Sequence, residues 1–217
     1  MKVSDNKQNK LHAREVIALL KKAYPDSTCS LEFETPHQLL VATILSAQCT
    51  DERVNIVTKN LFEKYRNPDA FAEAEIGELE NDIRSTGFFR NKARAIKESA
   101  RVITNDFGGK VPRTLDELTR LPGVGRKTGS VVLGTGFGRA EGIVVDTHVA
   151  RISRRLRFTD EKSPLKIEKD LMAIIPPEYW IVYSHMLIDH GRAVCKARKP
   201  DCDSCPLAKL CPSAGHF

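Results

Sequence analysis

Apolar side chains recur every three to four residues in several stretches of the chain, which is the spacing of one face of an α-helix. The spacing is clearest over residues 36–48, 51–65, 88–107 and 163–175. Only Ile143–Val149 has the apolar run of a strand, and a single strand does not make a sheet. The pattern therefore predicts an all-α protein of short helices joined by short loops.

Capping residues mark the predicted ends of these helices. Thr35 and Thr114 are each followed, three residues later, by Gln or Glu, which is the spacing of a capping box. Asp51 is a candidate cap of the next helix. The last clear helix is predicted from Glu178 to His190, and Gly191 is its expected C-terminal stop.

Composition narrows the class of protein. The 217 residues include 34 Lys and Arg against 28 Asp and Glu, a formal net charge of +6, and 41% are hydrophobic. These values predict a soluble globular protein of one large or two small domains. No apolar run approaches the ~20 residues of a membrane span, and the N-terminus lacks a secretory signal. The basic surplus permits nucleic-acid binding without proving it.

The cysteines are concentrated near the C-terminal end. Four of the six occur with six, two and five residues between them: Cys195, Cys202, Cys205 and Cys211. Such a run can wrap one metal centre, and thiolates suit either zinc or an iron–sulfur cluster. Two disulfides are the alternative, but they are not expected in a reducing compartment. The spacing predicts a metal centre and leaves the metal open, while Cys29 and Cys49 are expected to be ordinary buried thiols.

The segment LPGVGRKT, residues 121–128, joins two predicted helices through a turn that contains Gly123 and Gly125. Glycines let backbone N–H groups approach a ligand closely, and the following helix N-terminus favours an anion such as a DNA phosphate. A plain helix–helix turn is the alternative. Arg126 and Lys127 favour the functional interpretation, because cations in a first helical turn oppose the helix dipole. The positive helix end is expected to favour the neutral amine of Lys127, and partial burial would favour it further, which makes this amine a candidate nucleophile.

The helix predicted from about Gly125 towards Phe137 contains further glycines, at positions 129, 134 and 136. Each is expected to weaken this helix by about 1 kcal/mol. Downstream, Asp146 follows an apolar run in VVDTH. An acid there can simply cap a helix, but beside Lys127 it could accept a proton and offset positive charge on a sugar.

Taken together, LPGVGRKT, VDTHVAR and Cys-x6-Cys-x2-Cys-x5-Cys resemble the endonuclease III family of the helix-hairpin-helix DNA glycosylase superfamily. The segments ILSAQCTD, at 44–51, and TGFFRNKA, at 86–93, also match. The resemblance extends from about Glu15 to Cys211, so it covers nearly the whole chain. Each motif alone is a weaker signal than the motifs in this order.

The resemblance implies an all-helical protein of two lobes with a DNA cleft between them. One lobe would be a six-helix barrel formed by residues 29–138, with the helix-hairpin-helix at 115–137. The other would combine residues 1–28 with 139–217 and hold a [4Fe–4S] cluster at 195–211, with the four cysteines above as its ligands.

The resemblance also implies a bifunctional DNA glycosylase and AP lyase that excises oxidised pyrimidines in base excision repair. Lys127 stands at the family's catalytic lysine and Asp146 at its catalytic aspartate. Lys127 would displace the base from the sugar C1′, and the resulting Schiff base would allow β-elimination. The expected partner is double-stranded DNA with damaged pyrimidines or abasic sites, bound by a monomer in the cytoplasm near the nucleoid, with no membrane involved.

Two side chains are candidates for the space left by a flipped base. Gln48 matches a family residue that enters the gap, and Phe88 occupies the position of a wedge that is commonly leucine. A core position is the alternative for Phe88, because two adjacent phenylalanines are not easily both exposed. Further expected DNA contacts are Gly123, Gly125, Arg126, His148 and Arg151. For His148 the alternative is a structural histidine.

Other functions stay open at this stage. A non-catalytic helix-hairpin-helix module with a zinc knuckle would share the hairpin and the cysteines but would be colourless. A monofunctional relative that removes adenine or mismatched thymine is less favoured. The adenine branch needs an early carboxylate, and none occurs between Glu34 and Asp51, while the mismatch branch typically lacks a lysine at position 127.

Overall fold

The computed structural model of the chain describes residues 3–216, with side chains from residue 7 onwards. Its α-helices are α1 Val3–Ala23, α2 Pro36–Leu45, α3 Asp51–Lys64, α4 Pro68–Glu73, α5 Ile76–Asp82, α6 Phe89–Phe107, α7 Leu115–Leu118, α8 Arg126–Val131, α9 Thr147–Arg155, α10 Pro164–Ile174 and α11 Trp180–Ala193. Short 3₁₀ turns occur at Arg84–Thr86, Pro177–Tyr179 and Ala208–Leu210. Residues 3–216 contain no β-strand, which confirms the all-α prediction. Nor does this part of the chain hold a helix with the length and apolar character to cross a membrane.

The chain divides into two compact units, each with its own apolar core. One unit is continuous, Cys29–Glu141, and the other joins the segment up to Thr28 with the segment from Gly142 onwards. The core of the continuous unit is built on α2 and α6, and the core of the discontinuous unit on α1, α9, α10 and α11. The lobe boundary expected at residue 139 lies three residues before this division, and residues 1, 2 and 217 of that lobe lie outside the described residues.

Threonine hydroxyls begin several of the helices. Thr35 and Thr114 each accept the backbone N–H three residues later, at 3.2 and 3.3 Å, as the capping boxes predicted. The cap of α3 differs from the prediction. Thr50, rather than Asp51, accepts the N–H of Arg53 at 3.3 Å, and Asp51 lies in the first turn, where its charge suits the helix dipole.

The α-helix predicted from Gly125 towards Phe137 ends earlier than expected, and its last part has the wider geometry of a π-helix. The α-helix α8 ends at Val131, and Val132–Gly136 continues as a π-helical turn. A Cβ at Gly129 would lie 2.9 Å from Leu115 Cδ1, and one at Gly136 would lie 3.2 Å from Leu39 Cδ2. These two glycines therefore allow close packing against α7 and α2, a role that the sequence did not reveal.

The final helix also corrects the sequence prediction. α11 continues through Gly191 to Ala193, so Gly191 is not its stop. A Cβ at Gly191 would lie 2.4 Å from His148 Nδ1 and 2.9 Å from Arg151 Nη2. Glycine is present because side chains of α9 cross α11 in direct contact with its backbone.

Replacing Gly191 by alanine should therefore destabilise the protein by about 1–3 kcal/mol, because the added methyl has no room. Gly77→Ala is the matched control, since a Cβ at that helical position meets no atom within 4 Å and alanine favours the helix. Thermal unfolding followed by circular dichroism measures both. We expect Tm to fall for Gly191→Ala and to stay level or rise for Gly77→Ala, and equal Tm values would contradict the packing argument.

Candidate functional site

The hairpin between α7 and α8 uses its two glycines for different purposes. Gly123 has a φ of 76°, and a Cβ there would lie 2.5 Å from the Cβ of Ala95 on α6. The turn and its packing therefore require glycine at this position. Gly125 has an ordinary φ of −83°, and a Cβ there would meet nothing within 4 Å. No described neighbour requires a glycine at 125, so the backbone there is open to a group from outside the chain.

Lys127 is the second residue of α8. Its side chain is exposed, so burial does not add to the effect of the helix end. Within residues 3–216, its ammonium makes no hydrogen bond or ion pair. Arg126, beside it, is also exposed. The helix start thus presents an accessible amine next to backbone N–H groups, which suits both attack on an electrophilic carbon and contact with a phosphate.

Asp146 is the N-cap of α9. Its Oδ1 accepts the N–H of Val149 at 2.8 Å, and its side chain is half-buried. The segment before it is held by Ser184, whose hydroxyl donates to Val144 O at 2.9 Å. The capping alternative weighed from the sequence is therefore what the structure shows. It also fixes the orientation of the carboxylate, and the positive end of α9 favours a negative charge there.

Two further candidates on α9 are occupied within the protein. Arg151 donates from Nε and Nη2 to Cys195 O, at 3.2 and 2.9 Å, and from Nη2 to Gly191 O at 3.2 Å. Its Nη2 also lies 3.1 Å from Nδ1 of the half-buried His148. Arg151 thus supports the backbone that leads into the cysteine segment, and its contact with DNA stays a prediction, as does that of His148.

The two candidates for the space left by a flipped base share an uncommon backbone conformation. Gln48 and Phe88 both have left-handed conformations, with φ of 55° and 49°. Both are exposed, and Phe88 is 63% accessible. Phe89 packs against the core instead, so the core alternative for Phe88 is excluded. A non-glycine residue held at positive φ costs on the order of 1 kcal/mol, and such strain is concentrated at functional sites.

The four C-terminal cysteines line one shared pocket in the discontinuous unit. Within residues 3–216, no three His, Cys, Asp or Glu side chains converge as they would around a single metal ion. The four cysteines among the lining residues of this pocket are all thiol donors. This arrangement fits a [4Fe–4S] cluster, which takes four cysteine ligands, better than it fits zinc.

The surroundings of the thiols also fit a bound cluster. Burial raises the pKa of Cys205 and Cys211, and the neighbouring cysteines raise it further, so four thiolates need a cationic group between them. Arg155 donates to Cys195 Sγ at 3.1 Å and to Lys196 O at 2.8 Å. The first cysteine and the loop that follows it are therefore tied to the C-terminal end of α9.

Sequence reasoning missed His190 and Tyr24. His190 Nε2 lies 3.6 Å from Cys205 Sγ, and its Nδ1 lies 2.9 Å from the hydroxyl of Tyr24. Burial, with a smaller effect of Arg151, lowers the pKa of His190 to about 4, so the imidazole is neutral. The two residues are 166 positions apart, and no motif or spacing connects them.

Comparison with known proteins adds evidence from sequence and structure. A family model described as HhH-GPD superfamily base excision DNA repair protein matches residues 41–177, and one described as the iron-sulfur binding domain of endonuclease III matches 195–211. The second match, with the thiol-lined cavity, confirms the predicted [4Fe–4S] cluster. Endonuclease III of Synechocystis sp. is 55% identical over 205 residues, which are 94% of each chain.

Two solved structures are similar to the whole fold. A non-covalent Endonuclease III–DNA complex has a TM-score of 0.89 and 49% identity, covering 94% of this chain and 96% of that one. A trapped Endonuclease III–DNA covalent intermediate has a TM-score of 0.89 and 48% identity, with the same coverage.

Cluster binding gives a direct prediction. Cys205→Ala should lose the broad absorbance in the blue region and most of the bound iron, because one of four thiolate ligands is missing. Cys29→Ala is the control, since Cys29 belongs to the other unit and should leave both signals at the wild-type level. Iron, acid-labile sulfide and zinc are measured per chain. A colourless wild-type protein that carries one zinc would contradict the assignment.

Proposed function

The chain belongs to the endonuclease III branch of the HhH-GPD superfamily of base excision DNA repair proteins, and we propose that it excises oxidised pyrimidines. Family membership makes it a DNA-binding glycosylase with AP lyase activity. The proposal adds the class of damaged base, a monomer as the working unit, and the roles of individual residues. The observation that carries it is the exposed, unpaired amine of Lys127 in the first turn after the hairpin.

Lys127 acts as the nucleophile. After the ammonium has given one proton to water, the amine attacks the sugar C1′, and the C–N bond to the damaged base breaks with the electron pair leaving on the base. The new C–N nitrogen then loses a further proton, and the departing base takes one up. Opening of the sugar ring gives an imine, which acidifies the C2′ proton. Loss of that proton expels the 3′ phosphate, so the strand is cut. The trapped covalent intermediate solved for a related endonuclease III supports a covalent route.

Asp146 stabilises the positive charge that develops on the sugar while the base departs. The hydrogen bond from Val149 N–H to Oδ1 keeps the carboxylate in one orientation. A fixed carboxylate needs little reorganisation when the charge develops, which is the condition for effective electrostatic stabilisation.

DNA is held by backbone and side chains around the hairpin. The open backbone at Gly125 and the cation of Arg126 contact phosphates, which positions the duplex without reading its sequence. Gln48 enters the gap and Phe88 wedges the stack, offsetting the cost of unstacking. The [4Fe–4S] cluster, when bound, cross-links the four cysteines into a rigid loop, and Arg155 ties this loop to α9.

The substrate class is tested with a panel of duplexes. We expect release of thymine glycol and other oxidised pyrimidines, together with strand cleavage. Release of adenine, or of thymine from a T·G mismatch, should be at least about 100-fold slower, because discrimination by a built pocket reaches that scale. Preferred release from the mismatch, without strand cleavage, would instead support the monofunctional alternative.

The nucleophile is tested by borohydride trapping on damaged DNA. Lys127→Ala should lose covalent trapping and strand cleavage by on the order of 10³-fold or more, as expected for deletion of a catalytic group. Lys110→Ala, which removes another exposed lysine of the same unit, should trap like the wild type. Undiminished trapping by Lys127→Ala would refute the assignment.

A further inference from the structure

We infer that Lys92 is a positioning residue for base flipping, because its buried ammonium holds together the two turns that carry Gln48 and Phe88. The inference rests on the proposed function, in which these two side chains enter the DNA. Lys92 itself is too deeply buried to reach DNA, since only 5% of its surface is accessible.

The contacts of Lys92 join both turns. Its Nζ donates to Leu45 O and to Thr86 O, each at 2.8 Å. The two oxygens are therefore no further apart than twice that distance. The backbone N–H of Lys92 also donates to Phe88 O at 3.1 Å, so the same residue is bonded to the wedge residue.

The position of each carbonyl explains why a cation is used. Leu45 is the last residue of α2, where backbone carbonyls lack helical partners and the helix dipole is negative. Gln48 lies three residues beyond it, and Thr86 lies two residues before Phe88. The ammonium of Lys92 thus donates to a carbonyl at the end of α2 and, at the same time, to a carbonyl in the turn that leads into α6.

Filling space alone does not account for a lysine here. Burial lowers the pKa of Lys92, so its charge is kept at a cost, and within residues 3–216 no carboxylate pairs with it. An apolar side chain would fill this position without that cost. The ammonium instead fixes the distance between the two strained turns. Gln48 and Phe88, which these turns carry, must act on the duplex together.

The consequence differs between substrates. A damaged base that is still stacked must be expelled, and this requires both side chains at the correct separation. An abasic site has no base to expel. Loosening the two turns should therefore slow base release much more than strand cleavage at an abasic site.

The test compares Lys92→Met with Lys97→Met. Lys97 lies on the same helix and donates to a backbone carbonyl, Ala74 O at 2.5 Å, and within residues 3–216 it makes no hydrogen bond to either turn. For each protein, thymine glycol release and abasic-site cleavage are measured on the same preparation, so the folded fraction cancels in their ratio. We expect this ratio to fall by about 10-fold or more for Lys92→Met and to stay within about twofold for Lys97→Met. An unchanged ratio for Lys92→Met would overturn the inference.

A double-mutant cycle shows whether Lys92 acts through Gln48 and Phe88. In a Gln48→Ala/Phe88→Ala background, adding Lys92→Met should change the ratio by less than about twofold, because the residues to be positioned are absent. A loss as large as in the wild-type background would assign Lys92 a general structural role and would also overturn the inference.

A second substitution is used if Lys92→Met does not fold. Lys92→Gln then replaces it, since the shorter side chain keeps donors but cannot reach both carbonyls. An unchanged ratio for this folded variant counts against the inference.

The wild-type result separates this inference from the proposed function. A wild type that releases no oxidised pyrimidine defeats the proposed function, whereas a wild type that does so, with an unaffected Lys92→Met, defeats the inference alone.

Discussion

The direct contact of α9 with the backbone of α11 at Gly191 is the constraint on which the discontinuous unit depends. With no side chain at Gly191, His148 and Arg151 can lie against α11, and Arg151 can reach the carbonyls of Gly191 and Cys195. The same nine-residue helix has the Asp146 carboxylate as its N-cap and Arg155 at its last position. One short helix therefore orients a carboxylate at one end and the cysteine loop at the other, and both depend on its seating against α11.

The continuous unit relies on close approach in a similar way. Gly123 lets the hairpin touch α6, and Gly129 lets α8 lie on α7. These contacts seat the start of α8, while Lys127 stays exposed on its surface. The hairpin and α8 are therefore packed rigidly, while the Lys127 amine stays accessible. A nucleophile on a preorganised scaffold requires both properties.

Local signals in the sequence were sufficient for much of this architecture. The amphipathic spacing of α6 and the threonine caps of α2 and α7 depend on neighbours within four residues, so the sequence predicts them directly. The thiol spacing likewise restricts the C-terminal segment to a metal centre, and the resemblance over the whole chain singles out the cluster.

The errors have a common cause in contacts between distant segments. Gly191 resembles a helix stop unless the crossing helix is known, and Gly129 resembles a weak point unless Leu115 is known to lie against it. The sequence predicts no role for Lys92, because its carbonyl partner in α2 is 47 residues away and no local pattern connects the two. The exposure of Lys127 could not be predicted from its neighbours in sequence either, since exposure is a property of the packed chain.

The link between Tyr24 and His190 has a consequence for biosynthesis. The segment up to Thr28 packs with a segment that leaves the ribosome only after the whole of Cys29–Glu141 has emerged. The continuous unit is formed by one uninterrupted segment, so it can fold on the nascent chain. The discontinuous unit is completed only after the segment from Gly142 onwards has emerged, so iron and sulfide are inserted after the continuous unit has been made. A chain that stopped before Cys195 would hold the hairpin but not the cluster.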